Sequence, residues 1–179
     1  IVTSPKDGFE LHDLLYTALK SNKIFSIRYG KINTEYRDDY KPELLNIGQW
    51  DTLFKGNEIL LLAAGSMVQN ALEVHDLFKN NDNIDIGVVN CRFIKPLDFK
   101  MLDEIKNKYK FIYTIEEGNI SGGFGSSVLE YFSENNYNNY VKLFGIKDEF
   151  INHGSRKELL DLVNLSSKSI YKAIKKDHE

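Results

Sequence analysis

Lys110-Phe111-Ile112-Tyr113-Thr114-Ile115-Glu116-Glu117-Gly118-Asn119 is followed by Ile120-Ser121-Gly122-Gly123-Phe124-Gly125-Ser126-Ser127-Val128-Leu129. The apolar, β-branched run Phe111–Ile115 has the composition of a buried strand. It is expected to halt at Glu116-Glu117, cross a glycine-rich turn and restart with helical spacing at Val128, Leu129 and Phe132. A strand, a glycine turn and a helix in that order form one unit of an open α/β sheet. Such sheets hold ligands and partners in the crevice beyond the carboxyl ends of their strands. Two adjacent carboxylates stand at this strand's end, and three glycines, Gly122, Gly123 and Gly125, would let another backbone approach.

The pattern repeats on both sides. Strands are expected at Glu58–Ala64, Ile84–Asn90 and Tyr140–Gly145. Helices are expected from Ser66 to about Lys79, with Val68, Ala71, Leu72, Val74, Leu77 and Phe78 inward, and from Asp98 to about Lys108. Ser155-Arg156-Lys157-Glu158 is a capping box that opens a helix over Leu159-Leu160, and Ser166 starts the last helix. The Asn-rich pieces at 80–83 and 135–139 are expected to be exposed loops. Strands alternating with helices imply a mostly parallel sheet covered on both faces, a three-layer α/β/α domain.

Upstream, Ile1-Val2-Thr3 reads as the end of a strand. Ser4-Pro5-Lys6-Asp7 reads as a helix start with Ser4 as cap, and Leu11, Leu14, Leu15, Ala18 and Leu19 form one apolar face. Ile24–Tyr29 is a second short strand. This β-α-β piece has too few strands to bury itself, so it is expected to be the tail of another domain. Residues 30–43 are polar and aperiodic, a linker, and residues 44–54 are expected to pair with the strand that follows, across a turn at Lys55-Gly56-Asn57. The organisation is therefore 1–40, the end of one domain; 41–57, linker and edge strand; 58–179, a complete domain.

Composition narrows the function. Hydrophobic residues at 42% support a packed core, and a net charge of −3 with scattered cations argues against a nucleic-acid surface. One cysteine, Cys91, excludes an internal disulfide framework and fits a reducing compartment. No apolar run reaches membrane-spanning length. The chain opens without an initiator Met or a targeting segment, as expected of the middle of something longer.

Each chemical motif has a plainer alternative. Ala64-Gly65-Ser66 could offer a helix N-terminus to an anion, or be a tight turn with Ser66 as cap. Gly123-Phe124-Gly125-Ser126-Ser127-Val128 lacks the third glycine of a dinucleotide fingerprint, so packing against a neighbouring chain is the better reading. Glu116-Glu117 could be an acid/base pair, but adjacent strand residues point to opposite faces, which favours a structural or interface role for one of them, Glu117. Arg28 and Lys31 are two cations at a strand's carboxyl end, where they could grip a phosphate. Arg92 fits a structural ion pair, and His153 a brace for the turn before a helix. The four histidines show no metal spacing.

Several motifs occur together and in order: Ser4-Pro5-x-Asp7, Ile27-Arg28-Tyr29, Cys91-Arg92-Phe93-Ile94-Lys95-Pro96-Leu97-Asp98, Glu116-Glu117 with Gly122-Gly123-Phe124-Gly125-Ser126, and His153-Gly154-Ser155-Arg156. Over nearly the whole chain they resemble the carboxyl-terminal part of the 1-deoxy-D-xylulose-5-phosphate synthase family, within the thiamine-diphosphate superfamily. The resemblance implies a transketolase-type carboxyl-terminal domain preceded by the end of a pyrimidine-binding domain. It implies an enzyme that condenses pyruvate with D-glyceraldehyde 3-phosphate, releases carbon dioxide and feeds isoprenoid, thiamine and pyridoxal synthesis. It further implies a homodimer, thiamine diphosphate and Mg2+, and a place in a bacterial cytoplasm or a plastid-like organelle.

The Gly-Asp-Gly metal motif and the activating glutamate of that family are absent from this sequence, so no cofactor site is expected in the chain and no catalytic residue is assigned. Where the family reads Pro-Arg-Gly after Arg-Tyr, this chain has Gly30-Lys31-Ile32, which keeps a cation but not a bidentate fork. The chain is thus expected to be inactive alone and to support a dimer. The alternatives are a pure assembly module or part of another transketolase-like enzyme.

Overall fold

The computed structural model describes residues 1–30, 32–35 and 37–178. A five-stranded sheet runs in the order β3-β5-β4-β7-β8, made of β3 (Asp51–Phe54), β4 (Ile59–Ala63), β5 (Gly87–Asn90), β7 (Phe111–Asn119) and β8 (Tyr140–Ile146). All neighbours are parallel except β3, which is antiparallel to β5. Side chains alternate across this sheet as strand geometry demands. Leu60, Leu62, Val89 and Ile112 enter one core with helices α3 (Phe99–Ile105) and α4 (Phe124–Glu134). Leu61, Ala63, Val88, Tyr113 and Ile115 enter the other with α2 (Met67–Asp82), α5 (Arg156–Leu162) and α6 (Ser167–Asp177). The fold is the three-layer α/β/α domain that the alternation implied.

The first segment is β1 (Val2–Thr3), α1 (Gly8–Lys20) and β2 (Ser26–Ile27). It is not left to itself. β1 pairs in parallel with β2 and antiparallel with β6 (Phe93–Lys95), so the later part of the chain supplies a third strand. Arg92 closes the join from the other side, 3.4 Å from the buried Glu10 carboxylate of α1. That is the structural ion pair expected of it.

Several local expectations change. The cap of α1 is Asp7, whose carboxylate accepts from the Glu10 amide at 2.8 Å. Ser4 instead donates its hydroxyl to the Arg28 carbonyl, because its backbone is already bonded to Arg92 at the sheet edge. The buried face of α1 is Glu10, Asp13, Leu14 and Thr17, while Leu15 and Leu19 are exposed. The reason is the linker, which lies along the helix: Tyr40 and the Glu43 amide donate to Asp13, and the Leu45 amide donates to Thr17. A helix face covered by irregular backbone needs acceptors, not leucines.

The edge strand covers Asp51–Phe54 and pairs with β5, not with β4 across the Lys55-Gly56-Asn57 turn. Gly56 crosses against the Ile86-Gly87 backbone, too closely for any side chain. Helix α2 runs through Asp82 and ends at Asn83, whose φ of +54° supplies the left-handed stop. Residues 80–82 are therefore helical rather than loop.

Asp98 caps α3, as expected, by accepting from the Met101 amide. Both bonds of the Ser155–Glu158 capping box form at α5. No helix among the described residues is long and apolar enough to cross a membrane.

Candidate functional site

The carboxyl ends of β4 and β7 open into a cleft of about 420 Å³. It is lined by Ala64, Glu116 and Glu117, by Ser66 in the turn before α2, by the first turn of α4, and by the β1–β2 edge with Lys95. This is the position that the topology of an open parallel sheet assigns to a ligand.

Strand β7 does not halt at Glu116 but continues to Asn119, so the two carboxylates are strand residues pointing to opposite faces. Glu116 turns toward α4, where it accepts from the Phe124 amide at 3.0 Å and the Gly125 amide at 2.8 Å. It caps that helix. Burial pushes its carboxyl above the usual glutamate value, against the pull of those two amides and the Arg28 charge.

Glu117 turns toward α2 and α5. It accepts from Arg156 Nη2 at 2.7 Å, from Arg156 Nε at 3.1 Å and from the Ser66 hydroxyl at 2.7 Å. Burial alone would raise its carboxyl, but the bonds from Arg156 and Ser66 and the charges of Arg156 and Arg28 together hold it below the usual value. Ser66 therefore serves Glu117 and makes no side-chain cap on α2.

The glycines have specific occupants. A Cβ on Gly123 would meet the Glu116 carboxylate and the Asn119 carbonyl, and one on Gly125 would meet the Thr114 hydroxyl. The space beside Gly123 and Gly125 is filled by the chain's own β7. Gly122 differs: it has φ +72° and nothing within 4 Å of a Cβ, so it is open at the surface. Ser126 and Ser127 lie inside α4 and donate to the carbonyls of Ile120 and Gly123, so the helix is capped by Glu116 instead of by them.

Arg28 reaches the cleft from the end of β2. Its Nη2 donates to the Glu117 carbonyl at 2.9 Å; its backbone amide donates to the Thr3 carbonyl, and its carbonyl accepts from the Ser4 hydroxyl. The side chain is exposed, which leaves guanidinium donors for a ligand. Lys31, the other expected phosphate contact, lies outside the described residues. Lys95 brings a second cation that sequence reading took only as part of a motif. Gly118, which no motif singles out, keeps a side chain from crowding Arg28 Nη1 and the Glu116 carboxylate, each 3.1 Å from where a Cβ would stand. His153 is exposed and makes no hydrogen bond among the described residues, so it does not brace the turn.

The implied cofactor does not fit what is present. Among the described residues no group of three or more His, Cys, Asp or Glu side chains could hold a metal ion. The two carboxylates of the cleft are already bonded within the chain.

The sequence and fold of the chain have known relatives. Residues 48–170 match the family described as the transketolase, C-terminal domain, and the chain belongs to that family. Over almost all its length it is similar to particular synthases. The 1-deoxy-D-xylulose-5-phosphate synthase of Aquifex aeolicus (strain VF5) is 39% identical over 178 residues, covering 98% of this chain and 28% of that protein. The same enzyme of Clostridium tetani (strain Massachusetts / E88) is 39% identical over 176 residues, with 98% and 28% covered. The chain thus spans about 28% of the length of these relatives.

Among solved structures, a split-gene transketolase described as an inactive β4 tetramer superposes with a TM-score of 0.86. It is 26% identical, over 98% of this chain and 56% of that one. The transketolase of Campylobacter jejuni subsp. jejuni NCTC 11168, with a TM-score of 0.64 and 16% identity over 97% of this chain and 25% of that one, shares the fold.

Proposed function

We propose that the chain is part of a 1-deoxy-D-xylulose-5-phosphate synthase, which condenses pyruvate with D-glyceraldehyde 3-phosphate and releases carbon dioxide. The observation that carries this reading is Arg28, held at the mouth of the cleft with donors to spare, on a chain similar to such synthases over 98% of its length. In the reading, residues 1–40 end the pyrimidine-binding domain, 41–57 link, and 58–179 form the carboxyl-terminal domain. Arg28 and Lys31 supply cations for the acceptor's phosphate. Thiamine diphosphate, which would supply the decarboxylating chemistry of such condensations, and Mg2+ would be held by other parts of the enzyme. The enzyme works as a homodimer in a bacterial cytoplasm or a plastid-like organelle, with Glu117 and the Gly122–Gly125 loop near the contact between protomers.

The chain alone is then inactive and supports assembly. The split-gene transketolase, whose matching chain was obtained as an inactive tetramer, supports that part of the reading. The test uses the intact protein with thiamine diphosphate, Mg2+, pyruvate and D-glyceraldehyde 3-phosphate. Formation of 1-deoxy-D-xylulose 5-phosphate, seen by NMR of the product, is the expected result; none forming refutes the reading.

A further inference from the structure

The hydrogen bond from Arg28 to the Glu117 carbonyl joins the first segment to the main sheet at a point where the register of β7 is irregular. The pairing of β7 with β4 ends at Ala63–Ile115. The pairing with β8 breaks between Ile115 and Asn119. Residues 116–118 have no register partner in either neighbouring strand. What fixes Glu117 is its side chain, bonded to Arg156 at the start of α5 and to Ser66 before α2. The carboxylate anchors one face of the residue while its carbonyl holds Arg28 in the cleft.

We propose that Glu117, clamped by Arg156 and Ser66, is a positioning residue that sets where the Arg28 guanidinium stands and so tunes recognition of a phosphorylated substrate. The kinetic consequence rests on the reading that Arg28 meets the acceptor's phosphate; the geometric one does not. Planar guanidinium groups bind phosphate through oriented pairs of N–H bonds, so a small displacement costs binding that a point charge would keep. Gly118 is part of the same arrangement, since a Cβ there would stand 3.1 Å from Arg28 Nη1 and from the Glu116 carboxylate and would push the guanidinium aside by a few tenths of an ångström. The role would fall to α5 and α2, elements of the carboxyl-terminal domain that do not themselves reach Arg28.

Two measurements test this. In the intact enzyme, Arg156→Met should raise KM for D-glyceraldehyde 3-phosphate about tenfold, the worth of one charge-assisted hydrogen bond, with kcat within about twofold. Turnover of unphosphorylated D-glyceraldehyde should stay unchanged, and Arg156→Lys should recover part of the loss. An equal loss with both acceptors, or no loss with either, overturns the proposal. If Arg156→Met does not fold, Ser66→Ala, which removes one hydroxyl from the clamp, must raise the same KM selectively or the proposal falls.

The geometry is read on the 179-residue chain by the 15N relaxation of the Arg28 Nε. It should be ordered in the parent and mobile in Arg156→Met; equal order in both overturns the clamp whatever the enzyme's reaction. An intact protein that makes no 1-deoxy-D-xylulose 5-phosphate would refute the assigned reaction, leaving this relaxation measurement to decide the clamp.

Discussion

Glu116 and Glu117 are adjacent in β7, yet they hold together opposite sides of the sheet. Glu116 accepts two amides at the start of α4, and Glu117 accepts Arg156 and Ser66 from α5 and the turn before α2. The alternation of a strand turns one dipeptide into two anchors. Their carboxyls consequently shift in opposite directions, Glu116 upward and Glu117 downward.

The downward shift of Glu117 has a pH signature. A carboxyl held below its unfolded value contributes stability that is present above that value and lost as pH falls through the folded one. Glu117→Gln should cost about 1–2 kcal/mol at neutral pH, the range for a partly exposed, charge-assisted cluster. The difference should shrink as pH falls below the usual glutamate value of 4.5. Urea unfolding followed by the fluorescence of Trp50, the single tryptophan, measures it. A gap that stays constant down to acid pH would contradict the assignment.

Glu116 should behave the other way. Its carboxyl is raised, so ionisation works against the fold; its contribution is fully present below the usual value and is lost as pH rises from there through the raised one. Glu116→Gln, which keeps an acceptor oxygen, should therefore be mild at neutral pH. Glu116→Ala leaves the Phe124 and Gly125 amides without an acceptor and should cost about 1–3 kcal/mol. Equal losses for the two substitutions would show that the capping bonds are not what the carboxyl supplies.

The three loop glycines should separate cleanly. Gly123→Ala drives a methyl into the Glu116 carboxylate and the Asn119 carbonyl, and Gly125→Ala into Thr114. Each should destabilise by about 1–3 kcal/mol, as overpacked sites do. Gly122→Ala meets no atom and faces only the penalty of φ +72°, about 1–2 kcal/mol, without loss of the α4 cap. Thermal unfolding of the three variants, with amide exchange of Phe124 and Gly125, distinguishes them. Loss of amide protection in the Gly122 variant would contradict this division.

The layered sheet was legible in the sequence because its strands are unbroken apolar runs, such as Ile59–Ala63 and Phe111–Ile115. Two caps, Asp98 and Ser155, were legible because each needs only a residue three positions on. Contacts set by distant chain were not. Leu15 and Leu19 look like a core face, but the linker selects Asp13 and Thr17 by offering amides. Ser66 stands at the cap position of α2, yet its hydroxyl bonds to Glu117. Within the cleft, the cation at Arg28 was visible from its place at a strand's end. Its tie to a backbone carbonyl 89 residues away was not, since any residue could supply that atom.

The reaction assigned to the intact enzyme is tested most directly by its choice of donor. Pyruvate labelled with 13C at the carboxyl and unlabelled D-xylulose 5-phosphate, offered together with D-glyceraldehyde 3-phosphate, thiamine diphosphate and Mg2+, give distinguishable outcomes by NMR. The account predicts labelled carbon dioxide released in step with 1-deoxy-D-xylulose 5-phosphate, and no consumption of the ketose. Transfer from D-xylulose 5-phosphate to an added aldose phosphate, with pyruvate untouched, would make the intact enzyme a transketolase and contradict it.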